Sequence, residues 1–595
     1  MNRTQIIYLI IFLFTGFTLH AQIAEPEITI KELKDHVYFL ASDELEGRKP
    51  GTEGGLEAAR YIRDQFTLFG LTPIGDNGFQ YFDVTTGISK GIDNKLVLND
   101  STFELNTDFI PLPFSSNASL IEEVVFGSFG FEIDHDSLQW SDYKELDVEG
   151  KWVLILRGDP EPDKDESLFI SSGSDRDKSL LARDHKAGGV LLVNGPQFGD
   201  KLLSGTFDRV TADVGIPVIN ISQSVANMIL EKSGKNINEL EKEIIATMQP
   251  IAFPTGIEIS GTTELIKNEV STQNVVAIVE GNDPLLKDEY IVIGAHYDHL
   301  GFGGQGSGSR TPDTLAIHNG ADDNASGTAG IIELAERLSS DREQLKRSVV
   351  IMAFGAEEMG LLGSQFFTSN ALVDLKEVKA MFNFDMIGRL DTTDFGVMLA
   401  GTGTAVEFDS LLAMYEKESK LAFNHSPEGY GASDHASFYA SNVPVLFFTT
   451  GAHPDYHTPA DDADKINYEG QKEILDYAYP LIIDIANRDN NLTYQEAGPK
   501  ERTGGAGRRG LKVKLGIMPD FTATENDGLG VGGVTAGGPA SKAGMLKGDK
   551  IVAINGMAIT NIYDYMNRLK KLKPGETISV DIIRNDNKKV LVVVL

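Results

Sequence analysis

Cysteine is absent from this chain of 595 residues. The protein therefore forms no disulfide, carries no lipid on a cysteine thiol and binds no metal through a thiolate. Any tight metal site must instead be built from histidine and carboxylate ligands.

Basic residues are scarce, because 53 Lys and Arg stand against 87 Asp and Glu, a formal net charge of -34. Such a charge repels nucleic-acid phosphates and anionic membrane surfaces, so we expect neither as a partner. From Leu511 onward, however, basic residues outnumber acidic ones. This change in charge predicts a separate C-terminal unit.

Long apolar runs are missing beyond the first residues of the chain. There, Arg3 precedes an apolar stretch at residues 6–17, and Ala21 offers a small residue for cleavage. This pattern predicts a signal peptide over residues 1–21 and an exported protein, periplasmic or extracellular, with an uncleaved membrane anchor as the alternative. No later segment reaches the ~18 apolar residues of a membrane-spanning helix, so we expect no stable membrane insertion after cleavage.

The length of the chain predicts two to four domains. Strand patterns over residues 85–260 differ from the βαβ pattern over residues 261–487, and residues 488–510 read as a linker. Residues 22–84 begin with two amphipathic helical stretches, and short strands return over residues 511–595. The fold class that we expect is α/β, an open, mixed and mostly parallel sheet flanked by helices, with an inserted β-rich region and a C-terminal domain.

Histidines and carboxylates follow four apolar runs that read as buried parallel strands at residues 290–296, 348–354, 380–388 and 443–450. Ligands bind at the carboxyl ends of strands in such sheets, so we expect these side chains to converge. They would repel one another without a cation, and imidazole with carboxylate suits zinc. The candidates are His296, Asp298, Asp322, Glu357, Glu358, Asp385 and His457.

Two zinc ions that share one carboxylate need one bridging ligand and about two terminal ligands each. Five of the candidates, His296, Asp322, Glu358, Asp385 and His457, would satisfy that need. Glu357 would remain free as a general base. Other interpretations exist for each motif taken alone: a surface turn for His-x-Asp, a solvated helix start for Glu-Glu, and a helix cap or calcium loop for residues 322–324.

Five sequence blocks resemble the signatures of the di-zinc exopeptidase family, which includes bacterial leucyl aminopeptidase, aminopeptidase Y and glutamate carboxypeptidase II. The blocks are GAHYDHLG (294–301), GADDNASG (320–327), GAEEMGLLGS (355–364), NFDMIGR (383–389) and YHTPADD (456–462). ASDELEGRKPGTEGG (41–55) resembles the family's N-terminal block. Residues 22–84 and 261–487 would then form the peptidase domain.

The resemblance implies a role for each matching residue. His296 and Asp385 would hold one zinc, Glu358 and His457 the other, and Asp322 would bridge the two. Asp298 would orient His296, and the bond between Asp322 and Asp323 would be cis. His299, His318 and His453 would lie at the surface or beside the ligands without binding metal.

The activity implied is that of an exported zinc aminopeptidase, which hydrolyses N-terminal residues of peptides through a water bridging two zinc ions. Ser433, Asp434 and His435, in GYGASDHASF (429–438), resemble a family segment beside the substrate. The alternatives are a carboxypeptidase or a glutaminyl-cyclase-like enzyme of the same fold. A catalytically dead peptide-binding protein is a further alternative, from a different class.

Two accessory domains are implied by further similarity. The segments at residues 147–158, 186–195 and 215–222 resemble a protease-associated domain. The sequence from residue 511 to the end resembles a PDZ domain. Its carboxylate-binding loop would be formed by Leu515, Gly516 and Ile517 and would bind a peptide C-terminus. A purely structural PDZ domain with an occluded groove is the alternative.

Overall fold

The structure is a computed structural model that describes residues 27–162, 164, 167–203, 213–391, 396–497, 513–520, 527–534 and 537–595. The predicted signal peptide, and residues 498–510 of the predicted linker, lie outside these ranges. Within them, no helix combines the length and the apolar character needed to cross a bilayer.

Two amphipathic helices open the described chain. Helix α1 (Ile30–Leu40) and helix α2 (Glu53–Leu68) begin after Thr29 and Thr52, whose side chains accept hydrogen bonds from backbone N–H groups of the first helical turn. The predicted apolar face of α2 is buried at Ala58, Ala59, Ile62 and Phe66. Strands β1 (Thr72–Pro73) and β2 (Phe79–Lys90) follow.

A second unit is inserted between β2 and the rest of the first sheet. Its eight-stranded sheet, counted among the described residues, has the order β4-β3-β12-β6-β9-β10-β11-β5, and β7 pairs with β8 in a separate hairpin. The three predicted buried strands are β9, β10 and β11, which pair in parallel. The strands of this unit are β3 Lys95–Leu98, β4 Ser101–Thr102, β5 Phe109–Pro111, β6 Ala118–Gly127, β7 Glu132–His135, β8 Leu138–Ser141, β9 Trp152–Leu156, β10 Gly189–Val193, β11 Val218–Ile221 and β12 Ala252–Thr263. Its helices are α3 Asp175–Asp184, α4 Gln223–Leu230 and α5 Ile237–Thr247.

The central sheet resumes with strands that alternate with helices. Its strands are β13 Leu265–Val279, β14 Tyr290–His296, β15 Ser348–Phe354, β16 Val378–Phe384, β17 Val397–Ala400, β18 Phe423–Ser426 and β19 Val445–Thr449. Its helices are α6 Gly327–Ser340, α7 Leu362–Ser369, α8 Phe408–Glu416, α9 His435–Tyr439 and α10 Tyr468–Asn487.

The four predicted parallel strands form the middle of this sheet. The order is β1-β13-β15-β14-β16-β19-β17-β18, with β2 beside β13. The run β15-β14-β16-β19 is parallel, whereas β13 and β17 pair with its two edges in antiparallel fashion. Aliphatic and aromatic side chains fill all four strands, as expected for a sheet covered on both faces. The carboxyl ends of the four strands therefore meet at one edge.

The C-terminal unit is an antiparallel sheet with two short helices. Its strands are β20 Ile517–Asp520, β21 Leu529–Val534, β22 Lys550–Ile554, β23 Met557–Ala558, β24 Thr577–Arg584 and β25 Asn587–Val594, and its helices are α11 Pro539–Lys542 and α12 Ile562–Lys570. It contacts the inserted unit through α12, where the buried Arg568 pairs with Asp184, and Asp564 pairs with Arg183 at 3.0 Å. The α/β sheet, the inserted unit and the C-terminal domain that the sequence predicts are all present.

Candidate metal centre

His296 lies at the end of β14 and is almost fully buried. Its Nε2 atom is 3.3 Å from Asp323 Oδ1 and 3.4 Å from Asp385 Oδ1. Asp385 is the first residue after β16, so two neighbouring parallel strands deliver both ligand-type side chains to one point. These three residues form a group that could hold a metal ion, which we call the first cluster.

A second cluster lies on the other side of Asp323. Asp323 Oδ2 is 3.1 Å from His457 Nε2, which is also 3.1 Å from Glu358 Oε2. His299 approaches the same carboxylates, and its Nδ1 atom is 2.8 Å from Glu358 Oε1. His299, Asp323 and Glu358 form another group that could hold a metal ion. Asp323 is therefore shared between the two clusters.

The expectation that Asp322 bridges is wrong in this structure, because the neighbouring Asp323 occupies that position. Asp322 Oδ1 accepts hydrogen bonds from Gly388 N at 2.6 Å and Ser326 Oγ at 3.0 Å. Its carboxylate thus holds together the turn before α6 and the loop after β16. The cis peptide bond lies between Asp323 and Asn324, one residue later than expected.

The carboxylate of Asp298 lies closer to the backbone of the glutamate pair than to the His296 ring. Its two oxygens accept hydrogen bonds from Glu357 N at 2.9 Å and Glu358 N at 3.3 Å. The nearest group to His296 Nδ1 is the backbone carbonyl of Asp298 at 3.2 Å, and the carboxylate is 3.9 Å away. Asp298 therefore positions the backbone of both glutamates and fixes His296 chiefly through its main chain.

Glu357 is largely buried, with 10% of its side chain exposed, and its Oε2 atom is 3.9 Å from His296 Nε2 of the first cluster. Burial raises the pKa of Glu357 well above its ordinary value, and the nearby carboxylates of Glu358 and Asp434 add to that effect. Burial would also raise the pKa of Glu358, but the hydrogen bond from His299 and the neighbouring His457 leave it lowered. Glu357 therefore binds a proton more readily than the adjacent Glu358 does.

Ser433, Asp434 and His435, which the sequence predicts to lie beside the substrate, are fully buried. Ser433 Oγ accepts from Asn383 Nδ2 and donates to Asp385 Oδ2, both at 2.7 Å. Ser433 thereby orients a residue of the first cluster. Burial raises the pKa of Asp434 to about 7 and lowers the pKa of His435, which stacks on Phe447, to about 3.

Arg48, in the N-terminal block, was not among the candidates. Its buried guanidinium donates to the carbonyls of Tyr297 at 2.6 Å, Asn319 at 2.7 Å and Gly320 at 2.9 Å, and also to that of Leu40. Burial lowers its pKa to about 10, although the surrounding carboxylates oppose that shift. Arg48 therefore joins the loops that carry both clusters.

Asp461 was missed as well, and it holds the shared carboxylate in place. Its Oδ2 atom accepts hydrogen bonds from Asp322 N at 2.9 Å and Asp323 N at 3.1 Å. Its position within the block YHTPADD is a signal that could have identified it. Nothing in the local sequence distinguishes Asp323 from Asp322. His299, in contrast, follows the buried strand β14 as the other candidates follow theirs, and this position is a signal that could have identified it.

The donor set fits a metal ion. Asp385 Oδ1 and His457 Nε2 are buried and lack a well-aligned hydrogen bond to any residue that the structure describes. Buried polar atoms are seldom left in this state unless something else binds them. Imidazole nitrogen and carboxylate oxygen are donors that suit zinc, and the two clusters together supply both types.

The predicted carboxylate-binding loop of the C-terminal unit precedes β20. Leu515 is buried and its carbonyl accepts from Ala540 N at 2.8 Å, which ties the loop to α11. Gly516 has φ of 76°, a conformation that favours glycine, and Ile517 begins the strand. Among the described residues, β20 pairs only with β21, so its other edge remains available for a peptide strand.

Three sequence families match separate parts of the chain. Residues 274–482 match "Peptidase family M28", residues 119–229 match "PA domain" and residues 513–595 match "PDZ domain". The chain thus carries a family M28 peptidase domain with PA and PDZ domains, which confirms the resemblance read from the sequence blocks.

Curated relatives include fungal aminopeptidases. The probable leucine aminopeptidase 2 of Trichophyton verrucosum is 29% identical over 324 residues, covering 52% of this chain and 53% of that protein. The probable leucine aminopeptidase of Arthroderma otae is 30% identical over 231 residues, covering 37% of this chain and 60% of that protein. The chain spans about half the length of the first curated relatives that it matches.

Solved structures are also similar over much of the chain. An aminopeptidase from Aneurinibacillus sp. strain AM-1 has a TM-score of 0.45 at 22% identity, covering 79% of this chain and 95% of that one. BSAP, a zinc aminopeptidase from Bacillus subtilis, has a TM-score of 0.44 at 20% identity, covering 79% of this chain and 97% of that one.

Proposed function

We propose that this protein is an exported zinc aminopeptidase that removes N-terminal residues from peptides. The observation that supports it best is the position of Asp323, whose two carboxylate oxygens face a histidine of the first cluster and a histidine of the second. In this proposal His296, Asp323 and Asp385 hold one zinc ion, and Asp323, Glu358 and His457 hold another.

When bound, the zinc pair would supply Lewis acidity towards the scissile carbonyl and towards water. Glu357 is the residue that moves protons: it takes one from the attacking water and returns it to the leaving amine. Its raised pKa suits that role, because a base must also be able to give the proton back. Asp298 holds the Glu357 backbone so that the carboxyl group stays beside the first cluster.

The substrate class follows from the groups beside the zinc pair. The carboxylates of Glu357 and the buried Asp434 lie beside the first cluster and would attract a positive α-ammonium group. A carboxypeptidase would need basic side chains for the substrate carboxylate, whereas the five sequence blocks contain a single arginine, Arg389, which pairs with Asp455 and Asp461. The PDZ domain, through Leu515, Gly516 and Ile517, is proposed to bind a peptide C-terminus at the free edge of β20.

A panel of aminoacyl chromogenic substrates tests this function, together with zinc measured by elemental analysis. We expect hydrolysis of substrates with a free amine, none of N-acetylated counterparts, loss after chelation and recovery with zinc. Activity that survives chelation and dialysis in zinc-free protein would contradict the proposal. Release of C-terminal residues, or cyclisation of N-terminal glutamine, would identify the alternative enzymes of the same fold.

A further inference from the structure

His299 is a fully buried histidine for which neither the resemblance nor the proposed mechanism provides a role. It lies three residues after His296, in the loop that follows β14. Its Nδ1 atom is 2.8 Å from Glu358 Oε1. An ionised carboxylate can only accept a hydrogen bond, so Nδ1 is the donor in this contact.

The two oxygens of Glu358 face different histidines. Oε1 is bonded to His299, whereas Oε2 is 3.1 Å from His457 Nε2. The same His457 atom is 3.1 Å from Asp323 Oδ2, so Oε2 shares its surroundings with the other donors of the second cluster. His299 Nδ1 is farther from that point, at 3.9 Å from Asp323 Oδ2.

The loop before α6 is shaped around the His299 ring. Gly320 has φ of +54°, and a Cβ atom there would come within 2.5 Å of His299 Cδ2 and 2.6 Å of its Cγ. Only glycine leaves room for the ring at this approach. Gly320 is also held by Arg48 through its carbonyl oxygen. The imidazole therefore has a fixed place beside Glu358.

We propose that His299 is a positioning residue that holds Glu358 through Oε1 and leaves Oε2 alone to face the second metal position. The inference rests on the proposed function, because it assigns a metal to that position. Hydrogen bonds of this kind orient a ligand and exclude the alternative in which both oxygens turn to the ion, and their loss typically costs 10–100-fold in metal affinity.

The test compares two substitutions at one position by titrating metal-free protein with zinc in a calorimeter. In His299→Asn, the side-chain amide nitrogen occupies the place of Nδ1 and can still donate, whereas His299→Ala removes the donor. We expect one of the two zinc-binding steps to lose roughly 10–100-fold in affinity with Ala and only a few-fold with Asn. The other step should change little in both variants.

His318→Asn is the matched control. His318 is equally buried in the same region, but it contacts Ala316 O at 2.9 Å and Ser309 Oγ at 2.8 Å, not a cluster carboxylate. Both zinc-binding steps should keep their affinity in this variant. A loss as large as that in His299→Ala would overturn the inference, because any buried histidine of the loop would then produce it.

A double-mutant cycle with Glu358→Gln tests the contact itself, including the case in which His299→Ala folds poorly. The cycle uses His299→Phe, which keeps an aromatic ring but removes the donor: if His299 acts through Glu358, His299→Phe and Glu358→Gln combine with less than additive loss of zinc affinity. Equal losses of zinc affinity in His299→Asn and His299→Ala would instead indicate that His299 binds the metal itself. Unchanged zinc affinity in His299→Ala would show that His299 does not position Glu358. Either result would overturn the inference. Wild-type protein that binds one zinc or none would overturn the proposed function itself.

Discussion

Two pairs of adjacent carboxylates show that neighbouring residues of one type acquire different roles. Asp323 faces both clusters, whereas Asp322 accepts hydrogen bonds from Gly388 and Ser326 within the protein. The cause is the backbone, because Asp323 has non-helical φ and ψ of -107° and 92° inside the turn before α6. That turn directs successive side chains to opposite sides.

Asp323→Asn and Asp322→Asn separate these roles. Asp323→Asn removes the charge shared by both clusters, so we expect zinc to fall well below two per chain and activity to disappear. Asp322→Asn keeps an oxygen for Gly388 N and should keep both zinc ions, with a loss of about 1–3 kcal/mol in the free energy of unfolding. Elemental analysis and urea denaturation measure the two effects. Loss of zinc in Asp322→Asn alone would restore Asp322 as the bridge.

Glu357→Gln and Glu358→Gln separate the second pair. Glu357→Gln should retain zinc but lower kcat by roughly 10²–10⁴, the usual range for a general base. Glu358→Gln should lose much of one zinc ion, and excess zinc should restore part of the activity. Zinc content and steady-state kinetics provide the comparison. If Glu357→Gln loses zinc while Glu358→Gln keeps it and is inactive, the two roles are reversed.

The N-terminal block acts as an element that braces the centre. Its chain turns sharply at Glu46, Gly47 and Arg48, which all have positive φ. This turn inserts the guanidinium of Arg48 among the carbonyls of the loops after β14 and before α6. Residues more than 200 positions apart in sequence are thereby joined under the metal centre.

Arg48→Met should destabilise the protein by about 3 kcal/mol or more, because it leaves several buried carbonyl groups without a donor. Zinc affinity should fall as well, since both loops carry cluster residues. The control is Arg60→Met on α2, where the arginine pairs with Glu53 and Glu57 at the surface and should change stability by less than about 1 kcal/mol. Urea denaturation with and without zinc checks both. Equal, small effects would show that Arg48 does not brace the loops.

At the scale of the whole molecule, the PDZ domain contacts both other units, and its Lys547 Nζ donates to Ser441 Oγ, just after α9, at 2.7 Å. Its helix α12 contacts the inserted unit through the pairs of Arg568 with Asp184 and of Asp564 with Arg183. These four side chains are largely or fully buried, so each charge depends on its partner across the contact. Every residue of the two clusters, however, lies upstream of residue 490.

Residues 491–497 still contact the peptidase domain through Arg347, Glu407 and Tyr439. A protein that ends at Ala497 should therefore still hydrolyse small aminoacyl substrates at a rate close to that of the full chain. Its inserted unit should be less stable, because Asp184 and Arg183 lose their partners in α12. Chromogenic assays and thermal unfolding measure the two properties. Complete loss of activity in a truncated protein that remains folded would show that residues 511–595 complete the active site.

The sequence predicted much of this architecture because its signals are local. Four apolar runs followed by His296, Glu357, Asp385 and the block around His457 are enough to predict parallel strands with ligands at their ends. The exact domain boundaries and the signal peptide stay predictions. The assignment of residues 433–435 to the substrate pocket also stays a prediction, although the motif could not reveal their complete burial or the hydrogen bond from Ser433 to Asp385.

The kinds of residue that meet at the sheet edge are predictable from sequence, because strand periodicity and the absence of cysteine leave only imidazole and carboxylate donors there. The choice between Asp322 and Asp323, the contact of His299 with Glu358 and the position of Arg48 beneath the loops became evident only from the three-dimensional fold. These features depend on the backbone conformation of short turns and on contacts between segments that are distant in sequence. Turn conformations and long-range contacts leave no periodic pattern in the sequence from which they could be predicted.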